Sequence, residues 1–288
     1  METLDRPIFI VGAARSGTSL LGNLLARHSS IAYWVEPKYI WRYRRPTAGD
    51  DVRTADEATP PVKQYIRSAF ARYVAERDGT RFMDKTPSNC FRISFMQEIF
   101  PEARFLHIVR DGRDVAFSAR RKWRTPPKKE ALWRRLTSWE IPLRDAPFYA
   151  IDFVRDVLGR QFMPERGFTW GPQFPGIHDV RRTHSLLKTC AIQWRESVRA
   201  AREGLGSLPP SDKIEVRFED LVAQPRKTMN GLLDSLELDD SGRLASQAAE
   251  IVNPEAAGRW ESRDDGTLNQ IQPLMQDELD MLGYVASQ

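Results

Sequence analysis

Eight consecutive residues, Gly12-Ala13-Ala14-Arg15-Ser16-Gly17-Thr18-Ser19, hold two glycines, one guanidinium and three hydroxyls. That set suits an anion. Ile8-Phe9-Ile10-Val11 precedes it and reads as a buried parallel strand. Leu20, Leu21, Leu24 and Leu25 follow at helical spacing. A strand, a glycine turn and a helix present backbone N–H groups and a helix dipole to a bound anion. Gly12 and Gly17 bracket four residues, as in a Walker A loop, but Thr18 and Ser19 stand where Lys and Ser/Thr would follow. Without that lysine the loop is poorly equipped for triphosphate chemistry. It suits one anionic centre held by backbone N–H, Thr18, Ser19 and the forked guanidinium of Arg15. The alternative is a glycine-rich structural turn.

A second anion site is expected after another apolar run, Phe105-Leu106-His107-Ile108-Val109. Arg110 ends that strand, and Ser118 lies eight residues on, inside the next helix. In open α/β sheets ligands collect at the carboxyl edge of the strands. Arg110 and Asp111 alone would be an ordinary surface turn with an ion pair of little worth. Two anion sites together point to a nucleotide whose phosphates lie at separate positions.

The elements that must position these residues alternate strand and helix. Ile214-Glu215-Val216-Arg217-Phe218 is a third strand, and a short one near Arg81-Phe82-Met83 joins the sheet. Pro225 opens a helix carrying Met229, Leu232, Leu233 and Leu236. The pattern predicts an α/β fold with a mostly parallel central sheet flanked by helices in three layers. Ala191 to Ala201 read as an amphipathic helix with Trp194 in the core. Two stretches break the pattern. Residues 42–62, with Pro46, Pro60 and Pro61, read as a loop or lid. Residues 123–185, rich in Trp, Arg and Pro, read as a helical and irregular insertion over the active end of the sheet.

The chain has 288 residues, 41% apolar and 28% charged, with a net charge of +4. No apolar run approaches the roughly 20 residues of a membrane helix. Ile8 to Val11 is too short for a signal-peptide core and leads straight into the glycine turn. The reading is therefore a cytoplasmic protein starting at Met1. Cys90 and Cys190 cannot build a disulfide framework and are expected to be buried thiols. Charge is uneven: residues 104–135 hold 11 Lys/Arg against 3 Asp/Glu. Such a segment could meet an anionic ligand, a nucleic acid or a membrane surface. For Arg134 and Arg135 a solvated helix face is the simpler reading.

With these motifs in hand, the sequence resembles the sulfotransferases that use 3′-phosphoadenosine 5′-phosphosulfate (PAPS). Residues 12–21 are similar to the family's 5′-phosphosulfate loop, and Val109 through Ser118 to its 3′-phosphate motif. Asp84-Lys85-Thr86-Pro87, Val216 to Val222 with Pro225, Gly258-Arg259-Trp260 and Leu282-Gly283-Tyr284 are further matches in the family's order. The stretch 123–185 is not covered. The resemblance implies one sulfotransferase domain over residues 1–288, with a P-loop-like fold. It also implies sulfuryl transfer from PAPS to a hydroxyl, less readily an amine, without a metal, leaving 3′,5′-bisphosphoadenosine (PAP). Arg15, Ser16, Gly17, Thr18 and Ser19 would hold the 5′-phosphosulfate. Arg110 and Ser118 would hold the 3′-phosphate, with Arg259 or Trp260 on a closing loop. Phe218 would offer adenine an apolar contact only, since it lacks the hydroxyl of the commoner tyrosine.

The acceptor must lose a proton as it attacks sulfur, and a positioned base is the usual solution. The cytosolic small-molecule branch of the family places a histidine two residues after the lysine matching Lys85; here Pro87 stands there. The branch acting on protein tyrosines and many carbohydrates uses a carboxylate soon after the first helix. Glu36, in Tyr33-Trp34-Val35-Glu36-Pro37-Lys38-Tyr39, matches it. Pro37 is expected to hold Glu36 in an extended segment. Glu36 is thus the expected base, with Lys85 and Arg15 stabilising the leaving charge. The simpler reading of Glu36 is a surface carboxylate paired with Lys38 or Arg42, and His184 is the rival base. The acceptor pocket falls on residues 33–45 and 123–185, whose aromatics and arginines allow a small-molecule, glycan, lipid or peptide acceptor. No specific nucleic-acid partner and no membrane span is expected. The competing functions are a P-loop kinase, which needs a Walker lysine and Mg²⁺ ligands, and a non-catalytic nucleotide or polyanion module, which leaves Glu36 and Lys85 unexplained.

Overall fold

The computed structural model describes residues 4–45, 49–124, 170–262 and 265–284. Its five strands are β1 (Ile8–Val11), β2 (Ile31–Val35), β3 (Arg81–Lys85), β4 (Arg104–Val109) and β5 (Lys213–Arg217). They form one sheet in the order β2-β3-β1-β4-β5, and every pairing is parallel. The helices that follow β1 to β4 are α1 (Thr18–Leu25), α2 (Lys38–Trp41), α3 (Pro60–Ala75), α4 (Ile93–Ile99) and α5 (Gly112–Trp123). Then come α6 (Ile177–Thr183), α7 (Leu186–Gly206), α8 (Phe218–Ala223), α9 (Pro225–Leu236), α10 (Arg243–Ile251), α11 (Asp265–Leu268) and α12 (Gln276–Met281).

Strand alternation sorts the core into two faces. On β1, Ile8 and Ile10 pack with Leu21, Leu24 and Leu25 of α1 and with Leu232, Leu233 and Leu236 of α9. Phe9 and Val11 point the other way, into an aromatic cluster with Phe70, Phe82, Phe100 and Phe105. All four β1 side chains are fully buried, as a parallel strand covered on both faces requires. Each such side chain contributes about 1.5–3 kcal/mol by leaving water. Helix α7 crosses beside α5, with Trp194 against Gly112. A Cβ at Gly112 would lie 2.6 Å from the indole, so only glycine lets the start of α5 sit there. Both cysteines are buried and unpaired, and burial pushes each thiol up to about 12.

One sequence reading holds in part and one is corrected. The described part of 42–62 is fastened to the core. Arg53 lies 3.9 Å over the Phe95 ring and donates to the carbonyl of Trp41, Asp51 accepts from Ser88 and from the Gln173 backbone, and α3 already begins at Pro60. Up to Thr59 the described residues are irregular apart from one turn at Ala55–Glu57, as the loop reading expected, but their charges are paired rather than solvated. Phe218 also does not end β5; it opens α8, which turns its ring inward. Most of the 123–185 stretch, including Arg134 and Arg135, lies outside the described residues. Its end holds the short helix α6.

Candidate active site

Every strand delivers a singled-out residue at its carboxyl end. The loop 12–19 leaves β1, Glu36 follows β2, Lys85 ends β3, Arg110 follows β4 and Phe218 follows β5. The chain leaves β1 to build β2 and β3 on one side, then returns to build β4 and β5 on the other. The crevice at that reversal is the ligand site of an open parallel sheet.

The loop after β1 is shaped by its backbone. Gly17 caps α1 with φ 97° and offers no side chain, so the first N–H groups of α1 face outward without a side-chain cap. A Cβ at Gly17 would lie 2.4 Å from the Phe218 ring, so the loop rests directly on that ring. Arg15 also has positive φ, 79°. Its Nε donates to Ser118 Oγ at 3.1 Å. Packing around the head group, together with Arg121 and Arg110, lowers the pKa of Arg15. Such crowding of cations is what an anion would relieve. Ser16 and Thr18 are buried, while Ser19 is exposed.

The second motif is a rigid helix start. Asp111 caps α5, accepting from the Arg113 backbone at 2.8 Å, and holds the Arg113 guanidinium through both carboxylate oxygens. Arg113 in turn lies 3.5 Å over the Trp260 ring. Arg110 lies 4.1 Å over the Phe218 ring, donates to Asp114 Oδ2 at 3.0 Å and to the Ala256 carbonyl at 2.6 Å, and touches the Arg15 carbonyl at 3.4 Å. Its Nε is buried with no acceptor among the described residues. An unsatisfied charged donor beside the Arg15 loop fits an anionic ligand. Beneath, Glu219 accepts from the Asp111 backbone at 3.1 Å and from the Tyr284 hydroxyl at 2.7 Å, tying the last described residue to this corner.

Sheet register brings the third group together. Val35 pairs with Lys85, so Glu36, one residue on, stands beside the lysine. Its backbone N–H donates to the Lys85 carbonyl at 3.2 Å, and Lys85 Nζ donates to Glu36 Oε1 at 2.7 Å. Lys38 reaches Oε2 at 3.3 Å. Burial would raise the Glu36 pKa, but Lys38 and Lys85 hold it down at about 2. The Glu36 side chain keeps 27% of its surface exposed. One residue before Lys85, fully buried Asp84 accepts from Trp41, Thr86 and Asn89 and clamps α2 against β3.

The structure revises the expected pairings. Glu36 is not extended; its φ is 55°, and the turn aims its side chain back over Lys85 instead of along the strand. Of the two partners weighed for Glu36, Lys38 pairs with it, while Asp51 accepts from the Arg42 guanidinium at 3.1 Å. Ser118 Oγ accepts from Arg15, and Asp114, one turn after Arg110, takes the Arg110 guanidinium. Phe218 is 3% exposed and packs under Gly17 and Arg110. Arg259 turns out to the Glu255 carbonyl, whereas Trp260 docks its backbone N–H on Asp114 Oδ1 at 2.9 Å. His184 sits at the end of α6 beside Thr183. Among the described residues no hydrogen bond or ion pair joins it to Glu36 or Lys85. Sequence reasoning passed over Arg121, Asp114 and Glu219. The four-residue spacing of Arg110 and Asp114 was a readable signal. The Glu219 contacts with Asp111 and Tyr284 were not, because they cross 108 and 65 residues.

Comparison with known proteins decides the family. The model of the sulfotransferase family matches residues 7–141 and 151–242. The chain belongs to that family. It is 24% identical to protein-tyrosine sulfotransferase 2 of Gallus gallus, over 96% of this chain and 69% of that protein. It is 24% identical to the omega-hydroxy-beta-dihydromenaquinone-9 sulfotransferase Stf3 of Mycobacterium bovis, over 82% of this chain and 64% of that one. It spans 51% of the protein-tyrosine sulfotransferase of Drosophila melanogaster. Among solved structures, the sulfotransferase domain from the curacin biosynthetic pathway superposes with a TM-score of 0.60 at 15% identity, covering 99% of this chain and 100% of that one. Mouse sulfotransferase SULT7A1 complexed with PAP gives 0.50 at 12% identity, over 97% and 85% of the two chains. The sulfotransferase fold, a central parallel sheet with a P-loop-like first loop, is therefore the fold of this chain. Among the described residues no helix is long and apolar enough to cross a membrane, and no three His, Cys, Asp or Glu are grouped to hold a metal ion.

Proposed function

We propose that this protein transfers a sulfuryl group from PAPS to an acceptor hydroxyl by in-line displacement, with Glu36 as general base. The observation that carries the reading is the Glu36–Lys85 contact at 2.7 Å, set by strand register at the carboxyl edge that also carries the Arg15 loop. PAPS supplies an activated sulfuryl group on a good phosphate leaving group. The residues present fit such a donor. Loop 12–19 offers helix-start N–H groups with Arg15, Thr18 and Ser19, and Arg110 offers a buried, unsatisfied N–H. Arg15, Ser16, Gly17, Thr18 and Ser19 would hold the 5′-phosphosulfate end. Arg110 and Ser118 would hold the 3′-phosphate, with Trp260 bordering them. Phe218 supports both from below.

Glu36 is ionised at neutral pH and would accept the acceptor's proton. A carboxyl held at about 2 is a weak base. Lys85 resolves this, because one ammonium serves two places: turned from Glu36 toward the leaving oxygen, it stabilises negative charge there and raises the proton affinity of Glu36 at the same moment. Lys38 keeps the carboxylate oriented. Positive charge at the reacting centre comes from Lys85 and Arg15, so the proposal needs no metal. Named relatives modify a protein tyrosine and a hydroxylated menaquinone, which supports a hydroxyl acceptor. A cytoplasmic location, as expected from the sequence, is part of this proposal. Incubation with radiolabelled PAPS, with tyrosine peptides and hydroxylated lipids offered separately, tests the reading and sorts the acceptor class. Label transferred by the wild type and lost in Glu36→Gln is expected; equal transfer by both would remove Glu36 from the mechanism.

A further inference from the structure

Asp114 uses both carboxylate oxygens, and each goes to a different part of the nucleotide corner. Oδ2 accepts from Arg110 Nη2 at 3.0 Å, and Oδ1 accepts from the Trp260 backbone at 2.9 Å. The side chain is 2% exposed. The same Arg110 nitrogen also donates to the Ala256 carbonyl, at 2.6 Å. Segment 256–260 and the Arg110 guanidinium are thus fixed to one another through a single buried carboxylate. A buried charge left without its partners is costly, so this carboxylate holds them firmly. With Nη2 committed, the guanidinium plane is set by Asp114 and by the Phe218 ring beneath it. Its Nε and Nη1 are left as the donors to spare, the former without an acceptor and the latter with only a 3.4 Å contact.

We infer that Asp114 is a positioning residue for 3′-phosphate recognition: it orients Arg110 so that the spare donors face the 3′-phosphate, and it selects nucleotides bearing that group. The inference rests on the PAPS reading and goes further, since it assigns selectivity to a residue of the same charge as the ligand. Simple electrostatics argues the reverse, that a carboxylate beside Arg110 weakens anion binding. Asp114→Asn separates the two. Asparagine keeps a carbonyl for the Trp260 N–H but removes the charge that holds Arg110.

The experiment is calorimetric titration of the full chain with PAP and with adenosine 5′-phosphate, which lacks the 3′-phosphate. The wild type should prefer PAP; no preference there would overturn the PAPS reading itself. Given that preference, Asp114→Asn should lose about tenfold or more in PAP affinity while keeping its affinity for adenosine 5′-phosphate, which also reports that the variant is folded. In an Arg110→Ala background the same substitution should change PAP affinity no further. Unchanged or tighter PAP binding by Asp114→Asn, or an equal loss in the Arg110→Ala background, would overturn the inference. Should Asp114→Asn fail to fold, Asp114→Glu titrated against the same two nucleotides keeps the question open to refutation: a preserved wild-type preference with a displaced carboxylate would contradict the role.

Discussion

The Glu36 carboxyl falls from the 4.5 of an ordinary glutamate to about 2 in the folded protein, because two ammonium groups outweigh its burial. The unfolded chain then binds that proton more readily than the folded one. The ionised carboxylate therefore adds stability that is complete above pH 4.5 and is lost as the pH falls toward 2. Urea midpoints of the wild type and Glu36→Gln should differ most near neutral pH and converge near pH 2; a constant gap would contradict the pairing. Lys85→Met removes one of the two cations, so Glu36 should titrate higher and the acid limb of turnover should move to higher pH. Arg110→Ala should weaken PAP binding by about 1.5–3 kcal/mol, the range of a charge-assisted hydrogen bond, while leaving adenosine 5′-phosphate binding nearly unchanged.

At the scale of elements, the Arg15 loop depends on its contact with α8. Gly17→Ala places a Cβ 2.4 Å from the Phe218 ring and an alanine at φ 97°. The conformational penalty alone is roughly 1–2 kcal/mol, so the variant should melt earlier and bind PAP poorly. Adding Phe218→Leu should recover the part due to the clash and leave the part due to the backbone; full recovery would show that the left-handed turn carries no cost. The loop was legible in the sequence because its strand, glycines and helix are contiguous. Each of the four strands expected from apolar runs also appears in the sheet. The positive φ of Glu36 was not legible: Pro37 argues locally for an extended residue, and the register against Lys85, 49 positions away, overrides it. Likewise Asp51, Arg42 and Arg53 look like a polar loop until their partners Ser88, Gln173 and Phe95 are brought alongside by the fold.

For the whole molecule, the order of the sheet does what no single motif could. Five strand ends lie along one edge of the sheet, which carries Arg15, Glu36, Lys85, Arg110 and Phe218 within or next to them. The central claim is that the crevice at this edge is built for a nucleotide carrying separate 3′- and 5′-phosphates, and not for a triphosphate chain with magnesium. Thermal melting of the wild-type chain tests it most directly, with PAP in a chelator and with ATP plus Mg²⁺ in parallel. PAP alone should raise the melting temperature strongly and ATP with Mg²⁺ only weakly. Stabilisation by ATP with Mg²⁺ and none by PAP would contradict the account.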